Sequence, residues 1–242
     1  MCIRDRRVSL DSLRRLNELA FEQYGDPAIA GRIQSYETAY RLQSSAPELM
    51  DLESESQEVF DLYGIKDVKE STYARNCLFA RRLLERGVRF VQLFHERWDH
   101  HQDLTNGIKK NCLETDKPTA ALVKELKRCG LLEDTLVVWG GEFGRTPKGN
   151  LATGTTTKKL QWGREHWPGA QSILISGGGF RMGQVVGATD RHAAYPVKRP
   201  IDPQDLMATI YKHLGIDLAT HFPDSSGRPV AITTGTPIKE LV

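Results

Sequence analysis

The sequence predicts an α/β fold in which a mostly parallel sheet is sandwiched by helices. Segments with apolar residues at the three- and four-residue spacing of a helix alternate with short β-branched runs of strand length, a pattern typical of that class. The chain has 242 residues, of which 39% are hydrophobic, enough for one large core. Because no internal repeat or low-complexity linker interrupts the pattern, we expect a single domain over residues 8–242.

Four helical regions are predicted from this spacing. They are residues 10–46, residues 72–85, a segment that follows Pro118 and ends at Gly130, and a segment from Asp202 to Gly215. The first region is interrupted at Asp26-Pro27, because an aspartate followed by a proline is a typical cap and first turn of a new helix. Asp202-Pro203 is expected to begin the last helix for the same reason.

Strands are predicted where β-branched and other apolar residues are concentrated. These runs are residues 88–94, 136–139 and 172–176, with a short hairpin arm at 184–188. Because strands and helices alternate along much of the chain, we expect the strands to be largely parallel, with helices on both faces of the sheet.

Composition and charge exclude several classes of protein. The 33 basic and 31 acidic residues nearly cancel, so no strong field attracts nucleic acid or anionic lipid, and we expect no nucleic-acid partner. No apolar run approaches the length of a membrane span. The four cysteines include no Cys-x-x-Cys pair, which argues against a thiolate metal site. Cys77 and Cys129 lie on apolar helix faces and are expected to be buried.

Residues that can bind a metal ion are concentrated in three segments. These are residues 95–101 after the first predicted strand, residues 140–147 after the second, and residues 163–167 before the third. Together they hold four of the seven histidines. Open α/β sheets bind ligands beyond the carboxyl ends of their strands, where the first two segments lie. The sequence therefore predicts a binding site there.

The types of residue in these segments indicate which ions would bind. Asp99 and His101 are separated by one residue and would point to the same side of an extended backbone. Imidazole and carboxylate ligands together suit zinc, manganese or iron, and calcium less well. Simpler interpretations exist, because Asp-x-His occurs by chance in many proteins. Glu142 is also placed to pair with Arg145 at the surface, and His166 is compatible with a half-buried histidine that binds no metal.

Three motifs carry a resemblance to a known family. They are Trp98-Asp99-His100-His101, Gly140-Gly141-Glu142-Phe143-Gly144-Arg145-Thr146-Pro147 and Gly163-Arg164-Glu165-His166. With the strands beside them, they resemble the bacterial sulfatase-like family known as domain of unknown function fifteen-oh-one, in the alkaline-phosphatase superfamily. The similarity runs from about residue 10 to the end. It implies an alkaline-phosphatase-like fold and an extracytoplasmic protein, periplasmic or secreted.

The resemblance also implies roles for individual residues. The positions that correspond to metal ligands of the superfamily are Asp99, His101, Glu142 and His166. The ion is a divalent metal, zinc in first place, with manganese, iron or calcium as alternatives. Phe143 stands where the superfamily has a histidine, which removes one ligand of a second metal site.

Four neighbouring residues are candidates for supporting roles. Arg145 and Arg164 would bind the anionic group of the substrate, or alternatively are surface charges or partners of Glu142. His95 and His100 would hydrogen-bond a metal ligand and fix its orientation. The catalytic residues are unknown, because the nucleophile of the superfamily lies in an N-terminal segment that has no counterpart here.

We therefore expect an N-terminally truncated domain in which residues 1–7 are a non-native leader. Its expected function is that of a metal-dependent hydrolase-like domain for sulfate or phosphate esters, inactive as this fragment, with small-molecule or glycan esters as substrates. One alternative is a non-catalytic metal- or carbohydrate-binding module on the same fold. Another is a structural protein whose polar clusters are salt-bridge networks. The sequence leaves the oligomeric state open.

Overall fold

A computed structural model describes residues 3–153 and 159–242, without the side chains of residues 3–6, 42, 44, 45 and 152. The chain divides into two compact units, Met1–Gln57 and Glu58–Val242. Each unit is described by itself, and the single domain expected over residues 8–242 stays a prediction. No helix within the described ranges is long and apolar enough to cross a membrane.

The first unit is a pair of helices in contact, α1 (Ile3–Tyr24) and α2 (Pro27–Met50), followed by a short 3₁₀ helix (Leu52–Ser54). The predicted break between the two helices is confirmed. Asp26 caps α2 by accepting a hydrogen bond from the backbone N–H of Ala28 at 2.9 Å, and Pro27 occupies the first turn.

Three helices form the apolar part of the second unit: α3 (Gln57–Tyr63), α4 (Tyr73–Glu85) and α5 (Leu104–Arg128). Thr72 caps α4 by accepting from the N–H of Arg75 at 3.2 Å. The helices α4 and α5 pack against each other. Their buried apolar residues include Cys77, Leu78, Ala121, Leu122 and Leu126.

Two expectations about α5 are wrong. The helix predicted to follow Pro118 begins earlier, because α5 runs from Leu104 through the buried Pro118. Cys129 is exposed, whereas Cys77 is buried as expected. Cys129 stands at the C-cap of α5, where the apolar face of the helix has already ended.

The strands pair in five two-stranded sheets, and every pair within the described ranges is antiparallel. The pairs are β1 (Leu136–Trp139) with β6 (Leu174–Gly177), β2 (Gly144–Arg145) with β5 (His166–Trp167), β3 (Asn150–Thr153) with β4 (Leu160–Gly163), β7 (Ala188–Thr189) with β8 (Pro196–Lys198), and β9 (His221–Pro223) with β10 (Pro229–Ala231).

The large parallel sheet expected from the sequence is therefore not seen in the described residues. Parallel sheets need both faces covered, and here Val138 and Trp139 of β1 are 42% and 39% exposed. The strand predicted at residues 88–94 is also wrong in this structure, because that segment forms no strand. Its Phe90 and Phe94 are 75% and 77% exposed. The alkaline-phosphatase-like architecture stays a prediction.

The C-terminal helix α6 (Pro203–His213) is confirmed with its predicted cap. The side chain of Asp202 accepts from the N–H of Gln204 at 3.1 Å, and Asp205 accepts from the N–H of Asp202 at 3.1 Å. The hydroxyl of Thr209 inside α6 accepts from the N–H of Ile238 at 2.9 Å. The end of the chain is therefore fastened to α6.

Candidate metal centre

The carboxylate of Asp99 lies where three parts of the second unit meet. Its Oδ1 atom is 2.9 Å from Nε2 of His101 and 2.9 Å from Nε2 of His166. The guanidinium of Arg145 donates to the same oxygen. One ligand atom from each of Asp99, His101 and His166 lies within 4.8 Å of the others, so a single ion can reach all three.

A tight turn brings Asp99 and His101 to the same side. The N–H of His101 donates to the carbonyl of Asp99 at 3.1 Å, and the N–H of His100 donates to the carbonyl of Trp98 at 3.1 Å. The extended backbone assumed from the sequence is therefore wrong here, although both side chains still converge. Each of these hydrogen bonds spans only two residues, so the backbone folds back on itself at the ligands.

Arg145 and His166 reach Asp99 because their strands pair. In the β2–β5 ladder, Arg145 is directly opposite His166, and Gly144 is opposite Trp167. Residues directly opposite each other in an antiparallel pair project from the same face, so both side chains point towards one carboxylate. This pairing also explains why Arg145 rather than Glu142 enters the cluster.

Glu165 holds the other side of the His101 ring. Its Oε2 lies 2.6 Å from Nδ1 of His101, and its Oε1 accepts from the side-chain amide of Asn150 at 3.0 Å. Thr146 fixes the backbone of Glu165 through two hydrogen bonds of 2.9 and 3.1 Å. The hydrogen bond from Asn150 is the main cause of the lowered pKa of Glu165. A carboxylate at Nδ1 is the usual partner of a histidine that binds a metal through Nε2.

Gly163 lets the end of β4 lie directly on the loop that carries the ligands. A Cβ atom at this position would be 1.8 Å from the carbonyl oxygen of His101. Next to it, the N–H of Arg164 donates to the carbonyl of His100 at 3.0 Å. Only glycine permits this approach, which brings Glu165 and His166 to the loop.

Aromatic contacts support the His166 ring. The ring centroids of Phe143 and His166 are 4.4 Å apart, and those of His101 and His166 are 5.0 Å apart. The guanidinium carbon of Arg145 lies 5.7 Å from the centre of the Phe143 ring. Phe143 therefore packs against both His166 and Arg145, the two residues of the β2–β5 ladder that contact Asp99.

The electrostatics of the cluster favour an ionised carboxylate. The hydrogen bond from Arg145, with that from His166, lowers the pKa of Asp99 to about 2. The site is also open, because the side chains of Asp99, His101 and His166 are 54%, 38% and 50% exposed. A carboxylate charged across the ordinary pH range, and two accessible imidazoles, can therefore meet an ion or a substrate from solvent.

Some residues predicted for the site lie elsewhere. The side chain of Glu142 is exposed and outside the three-residue cluster, and its carbonyl accepts from the amide of Gln171 at 3.5 Å. Its role as a metal ligand stays a prediction. Arg164 contributes its backbone N–H, while its exposed guanidinium makes no hydrogen bond or ion pair within residues 3–153 and 159–242.

The two histidines predicted to orient the ligands differ in placement. His95 accepts from the indole N–H of Trp98 at 2.9 Å and lies 3.1 Å from Glu114, so it does not touch a candidate ligand. His100, which lies between Asp99 and His101 in the sequence, packs against Gly107 of α5. Burial is the main cause of the lowered pKa of His100. Glu165, which does hold a ligand, was named in the sequence only as part of a motif.

The donor set fits a metal ion of the zinc, manganese or iron type. Two imidazoles and one carboxylate leave coordination positions open, as in catalytic zinc sites and non-haem iron sites. Calcium fits less well, because it prefers oxygen ligands alone. The second unit thus carries a solvent-open cluster of two histidines and one aspartate that can bind a metal ion.

The chain belongs to the family described as Protein of unknown function (DUF1501), whose sequence pattern matches residues 2–242. This match bears out the family suggested by the motifs, and it carries no sulfatase or phosphatase assignment. No curated protein and no solved structure matches the chain.

Proposed function

We propose that this chain binds a divalent metal ion, zinc in first place, through Asp99, His101 and His166. The ion would form the metal centre of a hydrolase-like domain for sulfate or phosphate esters. The observation that carries the proposal is the approach of two imidazole Nε2 atoms to one carboxylate oxygen, at 2.9 Å each. Glu165 at 2.6 Å from Nδ1 of His101 supports it from behind.

The charges of the cluster support an ion better than a salt-bridge network. Both nitrogens of His101 face carboxylate oxygens, with Nε2 at 2.9 Å from Asp99 and Nδ1 at 2.6 Å from Glu165. A metal ion would take the place of the Nε2 proton and interact favourably with the charged carboxylate. The same ion would also bind Nε2 of His166.

Two further features support ester hydrolysis. A bound ion would supply Lewis-acid chemistry at a non-bridging oxygen of the ester. Arg164 would bind the anionic group of a substrate, since its guanidinium is exposed and its backbone N–H contacts the ligand loop at His100. Arg145 is already engaged with Asp99, so its part is to keep that carboxylate charged. Small-molecule and glycan esters are the substrate classes, and an alkaline-phosphatase-like fold and an extracytoplasmic location belong to the same proposal.

A non-catalytic carbohydrate- and metal-binding module is the second candidate. The observation that favours it is Trp162, which is 58% exposed and precedes Gly163 of the centre by one residue. Its ring lies against Gly149, where a Cβ atom would be 3.3 Å from the indole. An exposed aromatic face supported from below is suited to stacking on a sugar ring.

Zinc binding by the purified chain tests the proposal. We expect one zinc ion per chain by calorimetry and by elemental analysis, and loss of binding in Asp99→Asn and in His166→Ala. His192→Ala is the matched control, because this exposed histidine lies outside the centre. Retention of zinc by both site variants would refute the metal centre. Because no catalytic nucleophile is assigned, we expect no turnover of an aryl phosphate or aryl sulfate by this chain. Zinc-dependent turnover would contradict that expectation and would favour the hydrolase over the module.

A further inference from the structure

The loop that carries Asp99 and His101 has unusual backbone conformations near both ends. Arg97 has φ of 69° and Asp103 has φ of 48°, and neither is glycine. Residues other than glycine rarely adopt positive φ unless their surroundings impose it. The loop conformation that presents the two ligands must therefore be held by contacts from outside the loop.

The first turns of α5 make those contacts. The side-chain amide of Asn111 donates to the carbonyl oxygen of Arg97 at 2.6 Å, and Asn111 is 3% exposed. Four residues earlier, Gly107 lies against the ring of His100. A Cβ atom at Gly107 would be 2.2 Å from Cδ2 and 2.3 Å from Nε2 of that ring. Residues four apart share one face of a helix, so a single face of α5 holds the loop at two points.

These two points enclose the ligands. Arg97 precedes Asp99 by two residues, and His100 stands between Asp99 and His101. The carbonyl of His100 also accepts from the N–H of Arg164 at 3.0 Å, two residues before His166. A displaced His100 would therefore move both loop ligands relative to the third.

We propose that Gly107 and Asn111 are positioning residues of the metal centre. Gly107 provides space for the His100 ring, and Asn111 holds Arg97 in its left-handed conformation. Together they impose the turn in which Asp99 and His101 face His166. This inference rests on the proposed metal function for its effect on affinity, but the geometry of the metal-free cluster tests it independently.

Cobalt(II) titration of the full chain, followed by its visible absorption, gives the first test. We expect Asn111→Ala and Gly107→Ala to weaken cobalt binding roughly 10–100-fold, the range for residues that orient metal ligands. We also expect their absorption bands to shift, because the coordination geometry changes. Alanine favours a helix more than glycine does, so weaker binding by Gly107→Ala cannot come from loss of helix propensity.

Thr115→Val is the matched control. Thr115 is 2% exposed and lies one turn beyond Asn111, and its hydroxyl donates to the carbonyl of Asn111 at 2.8 Å. We expect this variant to have lower thermal stability than the wild-type chain but the same cobalt affinity and the same absorption bands. A control that weakened cobalt binding as much as Asn111→Ala would overturn the inference.

The double variant Arg97→Gly with Asn111→Ala separates positioning from general damage. Glycine adopts positive φ without strain, so the substitution should restore part of the cobalt affinity lost in Asn111→Ala. If Asn111→Ala does not fold, Gly107→Ala gives the same comparison at the other contact. No recovery in the double variant, together with unchanged binding in Gly107→Ala, would overturn the inference.

Imidazole ¹⁵N shifts of the metal-free chain decide the inference if the wild-type protein binds no cobalt. In that case the proposed metal function fails, while the positioning role still predicts changed His101 and His166 shifts in Asn111→Ala and Gly107→Ala. Wild-type shifts in both variants would overturn the positioning role. If the wild-type chain binds cobalt, and both variants keep its cobalt affinity and its ¹⁵N shifts, the positioning role is overturned while the metal centre stands.

Discussion

Oδ1 of Asp99 and Nε2 of His166 lie 2.9 Å apart, although 67 positions separate the two residues in the sequence. The contact depends on two arrangements. A tight turn directs Asp99 outward, and the β2–β5 ladder places His166 beside Arg145. Because Arg145 donates to the same oxygen, the carboxylate is charged before any ion arrives.

Removal of the Arg145 guanidinium should raise the pKa of Asp99. The pKa of Asp99 is about 2 in the folded chain, mainly because of Arg145, and about 3.9 for an ordinary aspartate. The folded-state value is the lower one, so the interaction stabilises the fold above the ordinary pKa and is lost as the pH falls towards the folded value. In Arg145→Gln, a ¹³C-detected pH titration should show Asp99 closer to the ordinary value. Arg164→Gln should leave the Asp99 titration unchanged, and an equal shift in both variants would contradict the assignment.

Loss of the Glu165 carboxylate should weaken metal binding without removing a metal ligand. Glu165 holds Nδ1 of His101 at 2.6 Å, so Glu165→Gln should lower zinc affinity roughly 10–100-fold by calorimetry. Glu142→Gln is the matched comparison, since that carboxylate is exposed and lies outside the cluster. The three-residue cluster predicts that Glu142→Gln binds zinc like the wild type, whereas the four-ligand site expected from the sequence predicts a loss of affinity. A larger loss in Glu142→Gln than in Glu165→Gln would show that the ion recruits Glu142 as a ligand.

The cysteines of the described residues, Cys77, Cys112 and Cys129, should react with iodoacetamide in a defined order relative to one another. Burial raises the pKa of the Cys77 thiol to about 12, and its side chain is fully buried, so Cys77 should remain unmodified in the native chain. Cys112 is exposed and should react first. Cys129 should follow, because partial burial and nearby Glu85 raise its pKa. Peptide mass spectrometry measures the order, and equal labelling of Cys77 without denaturant would contradict the packing of α4 on α5.

Truncation of a core leucine in α5 should destabilise the second unit. Leu126 is fully buried, so Leu126→Ala should lower the free energy of unfolding by about 2–5 kcal/mol. Leu113 lies in the same helix and is 72% exposed, so Leu113→Ala should change it by no more than about 0.5 kcal/mol. Urea unfolding followed by circular dichroism compares the two variants. Equal effects would contradict the orientation of α5.

Local sequence signals predicted α1, α2, α4 and α6, but they missed α3 and the first half of α5. Asp26, Thr72 and Asp202 accept hydrogen bonds from the first turns of α2, α4 and α6, where short-range rules place capping side chains. The strand at 136–139 was also correct, since its β-branched run is a local property. The clustering of Asp99, His101 and His166 in short motifs likewise pointed to the residues that the structure brings together.

Only the tertiary structure decided how distant segments pair. Three contacts join residues that are far apart in the sequence: the antiparallel β2–β5 ladder, the hydrogen bond from Asn111 to Arg97, and the close approach of Gly163 to His101. The periodicity of apolar residues carries no information about such partners. The same reason explains the error at residues 88–94. An apolar run shows that a segment favours extended backbone, but a strand also needs a neighbour with matching register. The sequence by itself determined which residues can bind a metal ion, and long-range packing decided which of them face one another.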